Sequence, residues 1–193
     1  FYNNRVLLDH FEAIRRKIRS NENHLSKHDH FRMIIETSEK KKYSVIYNDP
    51  RRFGFFEIIK SIAELKKRFA HLGPEPFDKE FSIDYFQKFI KKKNRNIKDL
   101  LIDQKFVSGI GNIYASEILF LSKINPNKKI GLLNKDECNR IILSSKSVLL
   151  KAIKKGGSSI RDFKNISGGK GNFQKNFKVY ERDKLNCKRP KCR

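Results

Sequence analysis

No run of apolar residues in these 193 is long enough to cross a bilayer, which excludes a membrane-spanning helix. The first residues lack the basic, then apolar, then small-residue order of a secretory signal, so a cytoplasmic protein without membrane contact is expected. Cysteine is scarce: three residues, one inside a helical pattern and two near the C-terminus, exclude a disulfide framework and point to a reducing compartment. The apolar fraction, 38%, is modest, and the length suffices for one sizeable core or two small ones. Acidic residues are also few. Twenty-one Asp and Glu stand against 44 Lys and Arg, and the net charge of +23 attracts any polyanion over a Debye length, although a lysine-rich composition can also arise from coding bias. Where the charge sits therefore matters more than its sum.

What is present is a glycine hairpin. From Asp103 to Phe120 the sequence reads as helix end, tight turn and new helix, with Gly109 and Gly111 flanking Ile110. Glycines permit positive φ and a close approach of backbone N–H groups to a ligand, and Asn112 then opens a helix whose positive end faces the same way. Open amides and a helix dipole suit phosphate. In a basic chain, that combination points to nucleic acid.

Elsewhere the pattern alternates between sheet and helix. Phe31 to Thr37, Tyr43 to Tyr47 and Phe53 to Ile59 read as three short antiparallel strands. The first thirty residues fit either a helix, through Val6, Leu7, Phe11, Ile14 and Ile18, or a strand followed by a basic loop. Ile62, Leu65, Phe69 and Leu72 predict a helix stopped by Gly73-Pro74. Further helices are predicted at Tyr85 to Ile90, Ile97 to Ile102 and Ile113 to Leu121. Asn134 with Glu137 resembles a capping box, opening a helix whose apolar face runs from Cys138 through Ile141, Ile142, Ser145, Val148 and Leu149 to Ala152, with Cys138 in the core. Gly156-Gly157 ends it, and Ser167 to Asn172 is a basic glycine-rich loop containing Lys170.

Taken together, His28-Asp-His30, Asp49-Pro-Arg-Arg-Phe-Gly54, His71-Leu-Gly-Pro-Glu-Pro76, the Asp103 to Glu117 helix-two-turn-helix, Phe173-Gln174, and Val179-Tyr180 leading to Cys187 resemble the formamidopyrimidine-DNA glycosylases. These are bifunctional base-excision enzymes that remove oxidised purines. The sister endonuclease VIII group shares the glycine hairpin, but Asn112-Ile-Tyr-Ala115 and the Asp-Pro-Arg-Arg-Phe-Gly run look more like the formamidopyrimidine branch. The resemblance implies an α+β fold: the C-terminal part of an antiparallel β-sandwich (1–60), a linker helix and loop (61–76), a helix-two-turn-helix domain (77–166), then a lesion-capping loop and the first half of a β-hairpin zinc finger (167–193). It implies a monomer acting on double-stranded DNA that holds an oxidised base or an abasic site.

The same resemblance assigns roles. An enzyme acting on a base takes it out of the stack, and something must fill the hole. Arg51 would reach the orphaned cytosine, Phe53 would wedge between bases and Arg52 would hold phosphates. His28, Lys93, Lys98, Gly109, Gly111, Asn112 and Lys170 would meet the DNA, most of them at its backbone near the lesion, with Lys93 displaced by one position relative to the family pattern. Cys187 and Cys192 would supply two of the four ligands that tetrahedral zinc needs. The family's second cysteine pair, the finger arginine, and the N-terminal proline nucleophile with its adjacent glutamate are not in this sequence. A partial copy of a glycosylase and apurinic-site lyase, binding without cleaving and with no catalytic residue of its own, is therefore expected. A competing class is a basic RNA-binding module of the ribosomal type, which can carry a similar Gly-Ile-Gly turn.

The charge makes the first testable statement. If about six phosphates are neutralised, DNA affinity should fall roughly 10³-fold between about 50 and 200 mM salt. Binding isotherms across that range measure it, and a flat response would remove the electrostatic reading.

Overall fold

The β-branched and aromatic residues from Phe31 to Tyr47 form an antiparallel pair in the computed structural model, which describes residues 27–49, 52, 57, 59–158 and 171–189. Strand β1 is Asp29–Glu36 and β2 is Lys42–Asn48, in a register that sets Phe31 against Tyr47, Ile34 against Ser44 and Ile35 against Tyr43. Phe31 stacks on Tyr47 with ring centres 5.4 Å apart. Phe31, Ile35, Tyr43 and Tyr47, which share one face, are half-buried, whereas Ile34 and Ile46 on the other are exposed. The turn closes through mutual Thr37 and Lys40–Lys41 backbone bonds, with Lys40 in the left-handed region at φ 57°. Of the third expected strand, Phe53 to Phe56 and Ile58 lie outside the described residues, as do residues 1–26; Glu57 and Ile59 are not in a strand.

Residues 60–158 and 171–189 form a second compact unit, which is helical. Its helices are α1 (Ile62–Phe69), α2 (Ile83–Ile90), α3 (Ile97–Leu101), α4 (Asn112–Ser122) and α5 (Lys135–Lys154), with 3₁₀ turns at Ile130–Leu132 and Phe173–Asn176. Helix α1 corrects the expectation drawn from its stripe. It ends at Phe69, three residues before Leu72, and buries none of its side chains: Ile62 is 70% and Phe69 47% exposed. Gly73 therefore does not cap it. The glycine instead allows two segments to touch, since a Cβ there would lie 2.4 Å from the Phe106 carbonyl oxygen, and its N–H donates to Gln104 O at 2.8 Å.

The core gathers around one ring. Phe106 meets Phe86 at 4.8 Å, Phe89 at 4.9 Å, Phe81 at 5.8 Å and Tyr85 at 5.9 Å, so the stripe of α2 closes on the residue that precedes the glycine hairpin. Ile97, Leu100, Leu101, Ile110, Ile118 and Ile141 are fully buried beside it. Helix α5 opens with the expected capping box: Asn134 Oδ1 accepts from Glu137 N at 2.9 Å, and Glu137 Oε2 accepts from Asn134 N at 3.0 Å. Its buried face contains Cys138, Ile141, Ile142, Ser145, Val148 and Ala152, and burial pushes the Cys138 thiol up to about 11. Helix α5 ends at Lys154, followed by Gly156 and Gly157 at φ 72° and 81°. Gly171 then packs on them so closely that a Cβ would sit 2.2 Å from Gly157 O.

These contacts separate the glycines. Gly73→Ala and Gly171→Ala should each lower stability by about 1–3 kcal/mol through overpacking against backbone. Gly131→Ala, whose Cβ would meet nothing nearer than 3.6 Å, should leave the denaturation midpoint nearly unchanged. Urea titrations of the three variants decide it, and equal midpoints would refute the close-packing account.

Candidate nucleic-acid interface

The hairpin between α3 and α4 is built from inside. Gln104 spans it: its Oε1 accepts from Gly109 N at 2.8 Å, and its Nε2 donates to Ile110 O at 3.0 Å and Ile102 O at 3.1 Å. Asp103 fixes the entrance, accepting from Lys105 N at 3.0 Å and from Arg95 Nη1 at 2.7 Å, while Arg95 Nη2 donates to Asp99 O. The Lys105 N–H holds the Asp103 carboxyl below the ordinary carboxylate range; partial burial opposes this and Arg95 reinforces it. Tyr85 donates its hydroxyl to Phe106 O at 2.8 Å, and Ser108 N donates to Pro74 O at 3.0 Å.

Two expectations change here. Only Gly109 takes positive φ, at 83°; Gly111 is extended at φ −105° and is the cap position of α4, so Asn112 is the first helical residue. The Gly109 N–H is occupied by Gln104 and is not offered to a ligand. What remains open is the helix start itself, which has no side-chain cap. The N–H groups of Gly111, Asn112 and Ile113 meet no acceptor among the described residues, and Gly111 and Asn112 are exposed. Uncapped amides at the positive end of an eleven-residue helix form a phosphate-sized electropositive site.

Lys98, half-buried on α3, lines a groove with Ser116 and Phe120 of α4 and with Lys123, which caps its C-terminal end. Lys93 lies beyond the end of α2 with its Nζ 3.4 Å from the centre of the Phe89 ring, a cation–π contact that holds it against its own domain. In the sheet unit, His28 is exposed in the turn before β1, and its carbonyl accepts from Asp49 N at 3.0 Å. The ring that touches the Asp49 turn belongs to His30, with Nε2 2.9 Å from Asp49 O. Arg52 is exposed, and it adopts φ 55° instead of continuing a strand; its N–H bonds to Asp49 Oδ1 at 3.0 Å, and Tyr47 donates to Asp49 Oδ2 at 3.3 Å. His30, Tyr47, Asp49 and Arg52 line a pocket of about 290 Å³. Arg51, Phe53, Lys170 and Cys192 lie outside the described residues.

Glu117 was not singled out by its pattern, and it ties the C-terminal segment to the hairpin helix. It is 4% exposed on α4 and accepts the consecutive N–H groups of Lys178, Val179 and Tyr180 at 2.9–3.0 Å. Its signal was available: an acid inside the apolar run from Ile113 to Leu119 needs a buried partner. Further along, Cys187 is exposed and its Sγ accepts from Arg189 N at 3.5 Å.

The H2TH domain of formamidopyrimidine-DNA glycosylases matches residues 72–164, which hold α2 through α5 and the whole hairpin. A formamidopyrimidine-DNA glycosylase of Zymomonas mobilis is 40% identical over 168 residues, covering 86% of this chain and 61% of that protein. The Wolbachia pipientis protein of the same name is 40% identical over 163 residues, 84% of this chain and 58% of its own. The chain belongs to the formamidopyrimidine-DNA glycosylase family.

Solved family structures agree with the fold. The Lactococcus lactis Fpg mutant G226P in complex with a Fapy-dG containing DNA superposes with a TM-score of 0.77 at 34% identity, covering 89% of this chain and 62% of that one. MutM (Fpg) from Thermus thermophilus gives 0.71 at 31% identity, covering 86% and 61%. The chain thus spans about three-fifths of the length of the glycosylases it matches. The zinc expected at Cys187 and Cys192 finds one thiol among the described residues, and no group of three or more Cys, His, Asp or Glu there could hold a metal. No helix among the described residues is long and apolar enough to cross a membrane.

Asp103 gives the hairpin a pH signature. Its folded pKa is depressed, so its contribution to stability is present above the unfolded carboxylate value and is lost as pH falls through the folded one. Asp103→Asn should be less stable than the parent near neutrality and should show a shallower loss on acidification. Urea midpoints measured from pH 7 to about pH 3 test it; parallel curves for parent and variant would assign the acid limb to other carboxylates, Glu137 foremost, which the Lys128 Nζ hydrogen bond also holds low.

Proposed function

We propose that this chain is a base-excision repair protein that binds duplex DNA at an oxidised purine or an abasic site. The observation that carries the reading is the uncapped α4 start behind the Gln104-pinned hairpin: three open amides in a row, beside a domain rich in cations, on the element the family match covers. Such a site grips phosphate without reading sequence. Relatives of this chain are named as glycosylases, and the solved complexes place a Fapy-dG or abasic-site DNA on them.

In this reading the division of the chain is 1–60, 61–76, 77–166 and 167–193, as given by the family resemblance. Asn112, Lys98, His28, Lys93 and Lys170 meet the backbone of the DNA. Arg51 reaches the orphaned cytosine, Phe53 wedges between bases and Arg52, whose N–H is held by Asp49, grips phosphates. Zinc joins at Cys187 and Cys192 with two further ligands. The glycosylase and apurinic-site lyase chemistry of the family runs through an N-terminal proline, and the residues of this chain supply the DNA-binding side of that activity. It acts in the cytoplasm as a monomer.

Competition between intact and abasic-site duplexes at one salt concentration tests the reading. Asn112→Ala, which removes the side-chain amide beside the open backbone N–H groups, should weaken binding to both by the same factor, about 5- to 150-fold for loss of one charge-assisted contact worth about 1–3 kcal/mol. Preference of the parent chain for structured RNA over either duplex would overturn the repair assignment.

A further inference from the structure

A second electropositive site lies further along α4. A groove of about 660 Å³ is lined by Lys98 from α3, by Ser116, Phe120 and Lys123 from α4, and by Tyr180 and Arg189 from the C-terminal segment. Its three cations come from three separate stretches of sequence, and none of them makes an ion pair among the described residues. The lining holds one carboxylate, Glu181. Arg189 is fixed in place: its guanidinium lies 4.4 Å from the centre of the Phe120 ring, and Nη2 donates to Phe120 O, which leaves its other N–H groups for a second partner. Lys123 ends α4 at φ 58°, a conformation where glycine is the usual choice, so a charged side chain occupies the groove wall at a position disfavoured for any residue with a Cβ.

The negative end of α4 would by itself draw Lys123 and Arg189. It does not account for Lys98, which stands on another helix. Three like charges converging on a concave wall raise the local potential and concentrate anions. Helix α4 has eleven residues and is about 16 Å long, so its C-terminal end is several phosphates distant from its open first turn when a single strand of nucleic acid is counted along the axis.

We propose that this groove takes backbone phosphates of the same nucleic acid that the α4 start grips, with Lys123 and Arg189 as contacts beyond the hairpin. The inference rests on the nucleic-acid reading above. The test uses the full chain and one duplex, with dissociation constants measured across a salt series. Lys123→Asn removes the charge while keeping a residue that tolerates the left-handed region, and it should reduce the slope of log affinity against log salt by about 0.9; adding Lys98→Gln should reduce it by about 0.9 again. Asn112→Ala, which removes no charge, should lower affinity at an unchanged slope. A parent slope that survives Lys123→Asn intact overturns the groove and leaves the hairpin reading standing. A parent chain with no salt dependence overturns both. Thermal unfolding by circular dichroism, unchanged in Lys123→Asn, ties the slope to binding and not to folding.

Discussion

One buried carboxylate organises the helical unit. Glu117 sits inside the most apolar helix, where an ionised side chain without partners would be strongly unfavourable, and it is tolerated because three successive backbone amides point at it. Those amides belong to Lys178, Val179 and Tyr180, more than sixty residues away, so the requirement of one side chain for hydrogen bonds dictates where the C-terminal segment runs. Phe173, Phe177 and Tyr180 then stack edge to face in sequence and meet Tyr114 of the same helix at 5.9 Å. Helix α4 is accordingly the hub: its first turn is the open phosphate site, its middle anchors the tail, and its last carbonyls receive Arg189 and Arg140.

The hairpin shows how an anion site can be rigid without being filled. Gln104 takes over the hydrogen bonds that a tight glycine turn would otherwise leave to solvent, and Asp103, Tyr85 and Gly73 brace the strand of chain beneath it. The open amides of α4 are then presented by a frame that has no need of the ligand to form. Ordering cost on binding is reduced by the same degree.

Much of this was legible from local chemistry. The capping box of Asn134 and Glu137, the apolar face from Cys138 to Ala152 and the terminating glycine pair are each decided within a few residues, and each stands as the spacing predicts. Whatever depends on a distant partner was not legible. Gly73 reads as a helix stop and is instead a contact point for Phe106; the glycine pair reads as a positive-φ turn, but Gly109 alone takes that conformation, and Gly111 is an extended cap. In the His28-Asp-His30 motif the second ring bonds to the Asp49 turn, a partner nineteen residues away that the motif itself does not announce. The stripe of α1 has helical spacing and no buried residue, since periodicity specifies a face and not what covers it.

The pinched base at Gly157 and Gly171 also closes the helical unit. Ser158 and Asn172 pair across it as an isolated antiparallel bridge, and Asn172 and Phe173 return hydrogen bonds to Lys155 and Gly157. The two chain ends therefore leave the domain side by side, whatever joins them. The spacing of Gly157 and Gly171 is thus a fixed boundary of the helical unit, held by its own backbone bonds at the end of α5 and the start of the tail.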